Sequence, residues 1–249
     1  MSGHSHAKNI MHQKGASDAK KAKVFNKLAR EIMAACRTGT PDPEHNARLR
    51  TAILAARAGN MPRERIERAI KAGQPGSAED KTQYDEVRYE AYGPGGCALI
   101  IEALTDNRNR TAAELRAALS KHGGSLGETN SVGFLFRRIG LLVFPTSAGS
   151  AEAFFEAALD NGADDVTSSA TEHTITTTVE AFGPVRAALE SAFGEPQDAR
   201  LVWEPQTPVT IEGDAADQLT RLLEVLDDND DVQTVWGTFA TPESSEESA

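Results

Sequence analysis

SDAKKAKVFNKLAREIMAACR, residues 17–37, is the stretch on which the reading of the fold turns. Val24, Phe25, Leu28, Ile32 and Met33 recur at helical spacing, while Lys20, Lys23, Lys27 and Arg30 fall on a neighbouring face. The pattern predicts one amphipathic helix from Asp18 to Arg37, roughly 30 Å long, with a basic stripe. On its N-terminal side, Met1 to Ala16 carries glycine, histidine and lysine without periodicity and reads as a flexible basic arm. On the other side, Asp42 before Pro43 predicts an N-cap for a second helix, Pro43 to Ala58, packing through Leu49, Ile53 and Leu54. A third helix follows Asn60-Met61-Pro62, with Ile66, Ala69 and Ile70 inward and Arg63, Arg65, Arg68 and Lys71 outward, and Gly73 closes it.

Charge sets this segment apart. Residues 1–75 hold fifteen Lys+Arg against six Asp+Glu, and the remainder holds eleven against thirty-one, so a +9 segment precedes a −20 one in a chain of net charge −11. A basic end on an acidic protein points to a polyanionic partner. With 39% apolar residues and no run approaching the ~20 of a membrane span, the composition is that of a soluble globular protein. No secretory or transit signal precedes the helices, so cytoplasmic localisation is expected. Cys36 and Cys97 form no CxxC pair, which argues against a disulfide framework or a zinc knuckle.

After the linker Gly73–Ser77 the periodicity becomes that of strands. Val87, Tyr89 and Ala91 alternate with polar neighbours, and the turn Tyr92–Gly96 leads into the apolar run Cys97–Leu104, a hairpin. Thr111 with Glu114 predicts a capping box for a helix ending at His122, and Val132–Phe136 predicts a strand. Residues 139–205 repeat strand and helix as βαβ twice: strands 141–146, 166–171, 174–179 and 200–203, with helices 151–161 and 184–193. Strand 209–212, a helix capped by Asp214 and strand 232–239 complete the chain before an acidic tail. The expected fold class is α+β multidomain, a three-helix basic domain followed by two ferredoxin-like α/β domains, one inserted into the other. The expected boundaries are 1–76 for the basic helical domain with its arm, 80–138 with 206–240 for a discontinuous α/β domain, 139–205 for the inserted domain, and 241–249 for the tail.

Several strings invite chemistry. Gly123-Gly124-Ser125-Leu126-Gly127 spells G-x-S-x-G, but the helix precedes the serine where a nucleophile elbow needs a strand, so a serine hydrolase is a remote alternative. His4, His6 and His12 lack fixed carboxylate or cysteine partners, and Asp227–Asp231 lacks the glycine and bidentate glutamate of a calcium loop. Neither metal nor other cofactor is therefore expected. Thr105–Thr111 joins a strand end to a helix N-terminus, where Arg108 and Arg110 could gather an anion or pair with nearby carboxylates. The residues expected to hold a nucleic-acid backbone are Lys8, Lys14, Lys20, Lys21, Lys23, Lys27, Arg30, Arg63 and Arg65.

Gly3-His4-Ser5, Asn9-Ile10, Asp18-Ala19-Lys20, Asn60-Met61-Pro62, Ile66–Lys71, Tyr92–Gly96, Leu104–Thr111 and Ser120–Gly124 together resemble the YebC/PmpR proteins over essentially the whole chain. That family is described as transcriptional regulators and is also linked to translation. The resemblance implies three domains and a non-enzymatic cytoplasmic protein with no small-molecule substrate. It implies a DNA-binding regulator of transcription, with a ribosome-associated translation factor gripping ribosomal RNA as the alternative. His6-Ala7 replaces the family's usual Lys-Trp, and Met11 and Gln13 stand where basic residues are common, which shifts the expected contacts from the arm to the helix 18–37.

Overall fold

The computed structural model describes residues 18–77 and 84–240, with no side-chain description for residues 18–20. Its order is α1 (Asp18–Thr38), α2 (Ala47–Ala58), α3 (Arg63–Gly73), β1 (Asp85–Tyr92), β2 (Ala98–Thr105), α4 (Arg108–Lys121), β3 (Ser125–Leu126), β4 (Phe136–Pro145), α5 (Ala151–Asp160), β5 (Asp165–Ser168), β6 (Glu172–Thr177), α6 (Val179–Phe193), β7 (Asp198–Pro205), β8 (Val209–Thr210), α7 (Asp214–Asp228), β9 (Val232–Gly237) and β10 (Phe239–Ala240). This is the expected α+β architecture: three helices, then two regions that each carry a four-stranded sheet and two helices. By contacts the described residues gather into two compact units, one of residues 18–31, 84–137 and 203–240, the other of residues 32–77 and 138–202.

In the first unit the sheet order is β3-β1-β2-β9. The hairpin occupies the middle, with β1 and β2 antiparallel in full register from Asp85↔Thr105 to Tyr92↔Ala98. Because β2 lies between two strands and is covered on both faces, its sequence ALIIEALT is apolar almost throughout and seven of its eight residues are buried. Its Leu99 and Ile101 meet Leu115 and Leu119 of α4 and Leu219, Leu222 and Leu226 of α7 in one cluster. Each such side chain, when fully buried, contributes about 1.5–3 kcal/mol. The hairpin turn passes through Gly95 at φ 70°, a left-handed position suited to glycine, and a Cβ there would also meet Ile211 at 2.9 Å.

In the second unit the order β5-β6-β4-β7 is that of the split βαβ arrangement, as the sequence pattern of residues 139–205 implies. Phe144, Phe154, Ile175, Val185 and Leu189 form its core, and Leu54 of α2 packs against it. Thr51 donates to the Ala199 carbonyl at 2.9 Å and accepts from the buried Arg186 at 2.9 Å, which ties α2 to β7 and α6. Helices α1 and α3 meet at Gly73, where a Cβ would lie 2.8 Å from the Met33 backbone.

Local chemistry moves several boundaries. The second helix starts at Ala47, because Asn46 rather than Asp42 is its cap: the Asn46 amide oxygen accepts from Leu49 N at 3.0 Å while its nitrogen donates to the Ala35 and Thr40 carbonyls. Asp42 instead holds a turn through Glu44 N and the His45 ring. Asn107 caps α4, so Thr111 is inside the helix and its hydroxyl is used elsewhere. Residues Gly133–Leu135 form a 3-10 turn ahead of β4, which begins at Phe136. Helix α6 begins five residues before Pro184, capped by Thr178, and α7 follows Gly213 at φ 61° with no side-chain cap.

Candidate nucleic-acid interface

The basic stripe of α1 is built by helical spacing alone: residues 23, 27 and 30 stand at i, i+4 and i+7 and so share a face. Within its unit the structure sets that face against the last residues of α7 and the loop that follows them. Lys23 Nζ lies 2.6 Å from Asp228 Oδ1 and donates to the Asp228 carbonyl at 3.2 Å. Lys27 pairs with Asp227 Oδ1 at 3.2 Å and donates to the Asp227 carbonyl. Arg30 reaches the Asp230 carbonyl at 2.7 Å and Asp231 Oδ1 at 3.0 Å, and lies over the Tyr84 ring. The backbone acceptors of Lys23 and Lys27 are the last carbonyls of α7, so there the negative end of the helix dipole adds to the side-chain charge. The hydrogen bond that Lys23 donates to Asp228, helped by the neighbouring aspartates, raises the pKa of Lys23.

Asp231 is the fixed end of this arrangement, with its side chain 5% exposed. Its second oxygen accepts from Arg110 at 2.7 Å, from the Thr111 hydroxyl at 2.8 Å and from the Thr105 hydroxyl at 3.2 Å, and its backbone carbonyl accepts from Leu104 N at 2.8 Å. Burial alone would push this carboxyl up, but Arg110 and the two hydroxyls outweigh it and the pKa falls below the usual range. Asn229 shapes the loop through an Asx turn, Oδ1 accepting from Asp231 N at 2.9 Å. Two segments singled out separately in sequence, the α1 stripe and Thr105–Thr111, thus meet on one carboxylate.

The other named residues are distributed as follows. Arg110 also pairs with Asp106 at 2.8 Å, and Arg108 pairs with Asp85 at 2.8 Å, so both arginines sit on carboxylates. Lys21 is exposed on α1. On α3, Ile66, Ala69 and Gly73 face inward, while Arg63, with its side chain 90% exposed, pairs at 2.7 Å with Glu67, and Arg65 is half-buried. Lys8 and Lys14 lie outside the described residues, as do His6 and Ala7 and the tail, and the side chain of Lys20 is likewise not described. Ser125 is exposed on the two-residue strand β3, after α4, and is not on a strand-to-helix elbow.

Sequence reasoning missed Asp231 and Glu90. Glu90 is buried, and its carboxylate accepts three backbone N–H groups, from Asn130, Val132 and Gly133, at 2.8–3.1 Å. Desolvation opposes its charge, yet those three donors and Arg88 hold its pKa below the ordinary value. The signal for Asp231 was present as five polar residues in a row; that only one of them is buried depends on β9 lying beside β2.

The Transcrip_reg family model, described as TACO1/YebC second and third domain, matches residues 84–239, and the TACO1/YebC protein N-terminal domain model matches residues 5–76. Among solved structures, the chain is similar to a conserved hypothetical protein from Aquifex aeolicus, with 43% identity, a TM-score of 0.79, and 95% of this chain and 97% of that one covered. Among the described residues no helix is long and apolar enough to cross a membrane. With both models in chain order and a full-length structural relative, the chain belongs to the TACO1/YebC family.

Proposed function

We propose that this protein is a non-enzymatic regulator of gene expression that binds nucleic acid through its N-terminal helices, with DNA-directed control of transcription as the leading reading. One observation carries it: the α1 stripe holds its three cations at a spacing that already accommodates three closely spaced carboxylates, those of Asp227, Asp228 and Asp231. Phosphates of a nucleic-acid backbone present the same chemistry, closely spaced anionic oxygens without side-chain specificity. The family model's name, that of a transcriptional regulator, supports the same reading. Lys20, Lys21, Lys23, Lys27 and Arg30 would hold phosphates on α1, Arg63 and Arg65 on α3, and Lys8 and Lys14 from the arm. Arg108 and Arg110 would take an anion only by leaving their carboxylates.

The test is affinity for labelled duplex DNA and duplex RNA across a salt series. Affinity should fall steeply with salt, and Lys21→Glu with Arg63→Glu should flatten the slope by about one per lost phosphate contact. Unchanged slopes would move the site off these helices. Sedimentation of lysate through a sucrose gradient distinguishes the target: co-migration with ribosomal particles after DNase treatment would replace DNA by ribosomal RNA.

A further inference from the structure

The cations most suited to phosphates on α1 are occupied in this structure. Lys27 is 11% exposed and Arg30 21%, the first set against Asp227 at the end of α7 and the second against Asp231, so phosphate oxygens reach Lys27 only if the end of α7 moves. We propose that Asp227 and Asp228 form an intramolecular phosphate mimic that closes Lys23 and Lys27 of the α1 stripe, and that nucleic acid engages these two lysines by displacing it. This rests on the reading of α1 as the polyanion-binding helix.

The contact is graded along its length. At one end Asp231 is buried and also held by Arg110, Thr111 and Thr105, donors that do not belong to α1. At the other end the Lys23–Asp228 pair is open to solvent on both sides, at 39% and 61% exposure, and Asp227 is comparably exposed. Exposed pairs of this kind are individually weak and screened by salt. The end of α7 can therefore release Lys23 and then Lys27 while Asp231 stays in place and keeps Arg30. A polyanion competes favourably because each phosphate contact also releases condensed counterions, which the internal carboxylates do not. A weak or non-matching anion leaves the stripe closed, so the device raises the threshold for binding.

The test uses the full chain. Asp227→Asn with Asp228→Asn removes the two releasable carboxylates and keeps side-chain size. Asp214→Asn with Asp217→Asn makes the same charge change at the far end of α7 and serves as the control. Binding of fluorescein-labelled duplex DNA and duplex RNA is followed by anisotropy at fixed salt, and amide hydrogen exchange is followed over residues 21–31. The loop variant should bind about tenfold tighter than wild type, with faster exchange in that segment, whereas the control should stay near wild type on both measures. Equal tightening by both variants would assign the gain to net charge and overturn the mimic. Detectable binding with no gain in the loop variant would overturn it too, leaving the nucleic-acid reading intact. If no protein binds either duplex at low salt, the nucleic-acid reading itself falls.

Discussion

Asp231 shows how much one carboxylate can organise. Four side-chain donors from α1, the β2 end and α4 converge on its two oxygens. Asp231→Ala would leave two guanidinium groups and two hydroxyls without their shared acceptor, and urea denaturation should show a loss of about 3–5 kcal/mol. Glu90→Gln keeps one acceptor oxygen but sets an amide N–H₂ against a backbone donor, and should cost about 1–3 kcal/mol by the same measurement. Both carboxyls titrate below their unfolded values, which are about 3.9 for Asp and 4.3 for Glu. Their contribution is therefore fully present above those values and is lost as pH falls through the lower folded ones. Thermal melts of wild type should drop steeply below about pH 4, and Asp231→Asn should flatten that acid limb. His45 carries the opposite sign: Asp42 raises its pKa, so the contribution of this exposed pair is complete below the unfolded value and fades as pH rises through the folded one.

At the scale of elements, caps and close approaches decide where helices begin and meet. Asn46 joins three functions in one side chain, capping α2 and donating to carbonyls at the end of α1 and in the following turn. Asn46→Ala should cost at least the ~0.5–2 kcal/mol of a lost cap, and the donor lost by each of the Ala35 and Thr40 carbonyls should place it at the upper end. Gly73→Ala tests the α1–α3 contact, since the neighbour at 2.8 Å is backbone and cannot swing aside. Separation of the helices should lower stability by about 1–3 kcal/mol, read as a fall in the urea midpoint. The sequence located these helices by periodicity. It missed their first turns because Asp42, Thr111 and Asp214 are all good caps by type, and a cap is chosen by which carboxamide or hydroxyl has other partners waiting. Thr111 was lost to Asp231, and Asp42 to His45.

Over the whole chain, residues distant in sequence complete each unit. The β-sheet of the first unit takes β1, β2 and β3 from one segment and β9 from another more than a hundred residues later. In the second, Thr51 bridges Arg186 and Ala199, contacts spanning 135 and 148 residues of sequence. Thr51→Val removes that bridge while keeping shape and leaves buried Arg186 short of an acceptor; a loss of about 1–3 kcal/mol in chemical denaturation is expected.

The amino-acid sequence by itself determined the helical and strand periods, the hairpin at Tyr92–Gly96, the split βαβ of residues 139–205 and the confinement of net positive charge to the first third of the chain, because each is written in local spacing and composition. Its Lys23, Lys27 and Arg30 stripe was equally legible, since i, i+4 and i+7 fix a shared face without any tertiary information. Only the tertiary structure decided what that stripe meets. The pairing of β9 with β2 brings the end of α7 to α1, and residues 200 to 205 positions apart become ion pairs. Charge tells that two segments can attract; the chain path determines whether they reach each other.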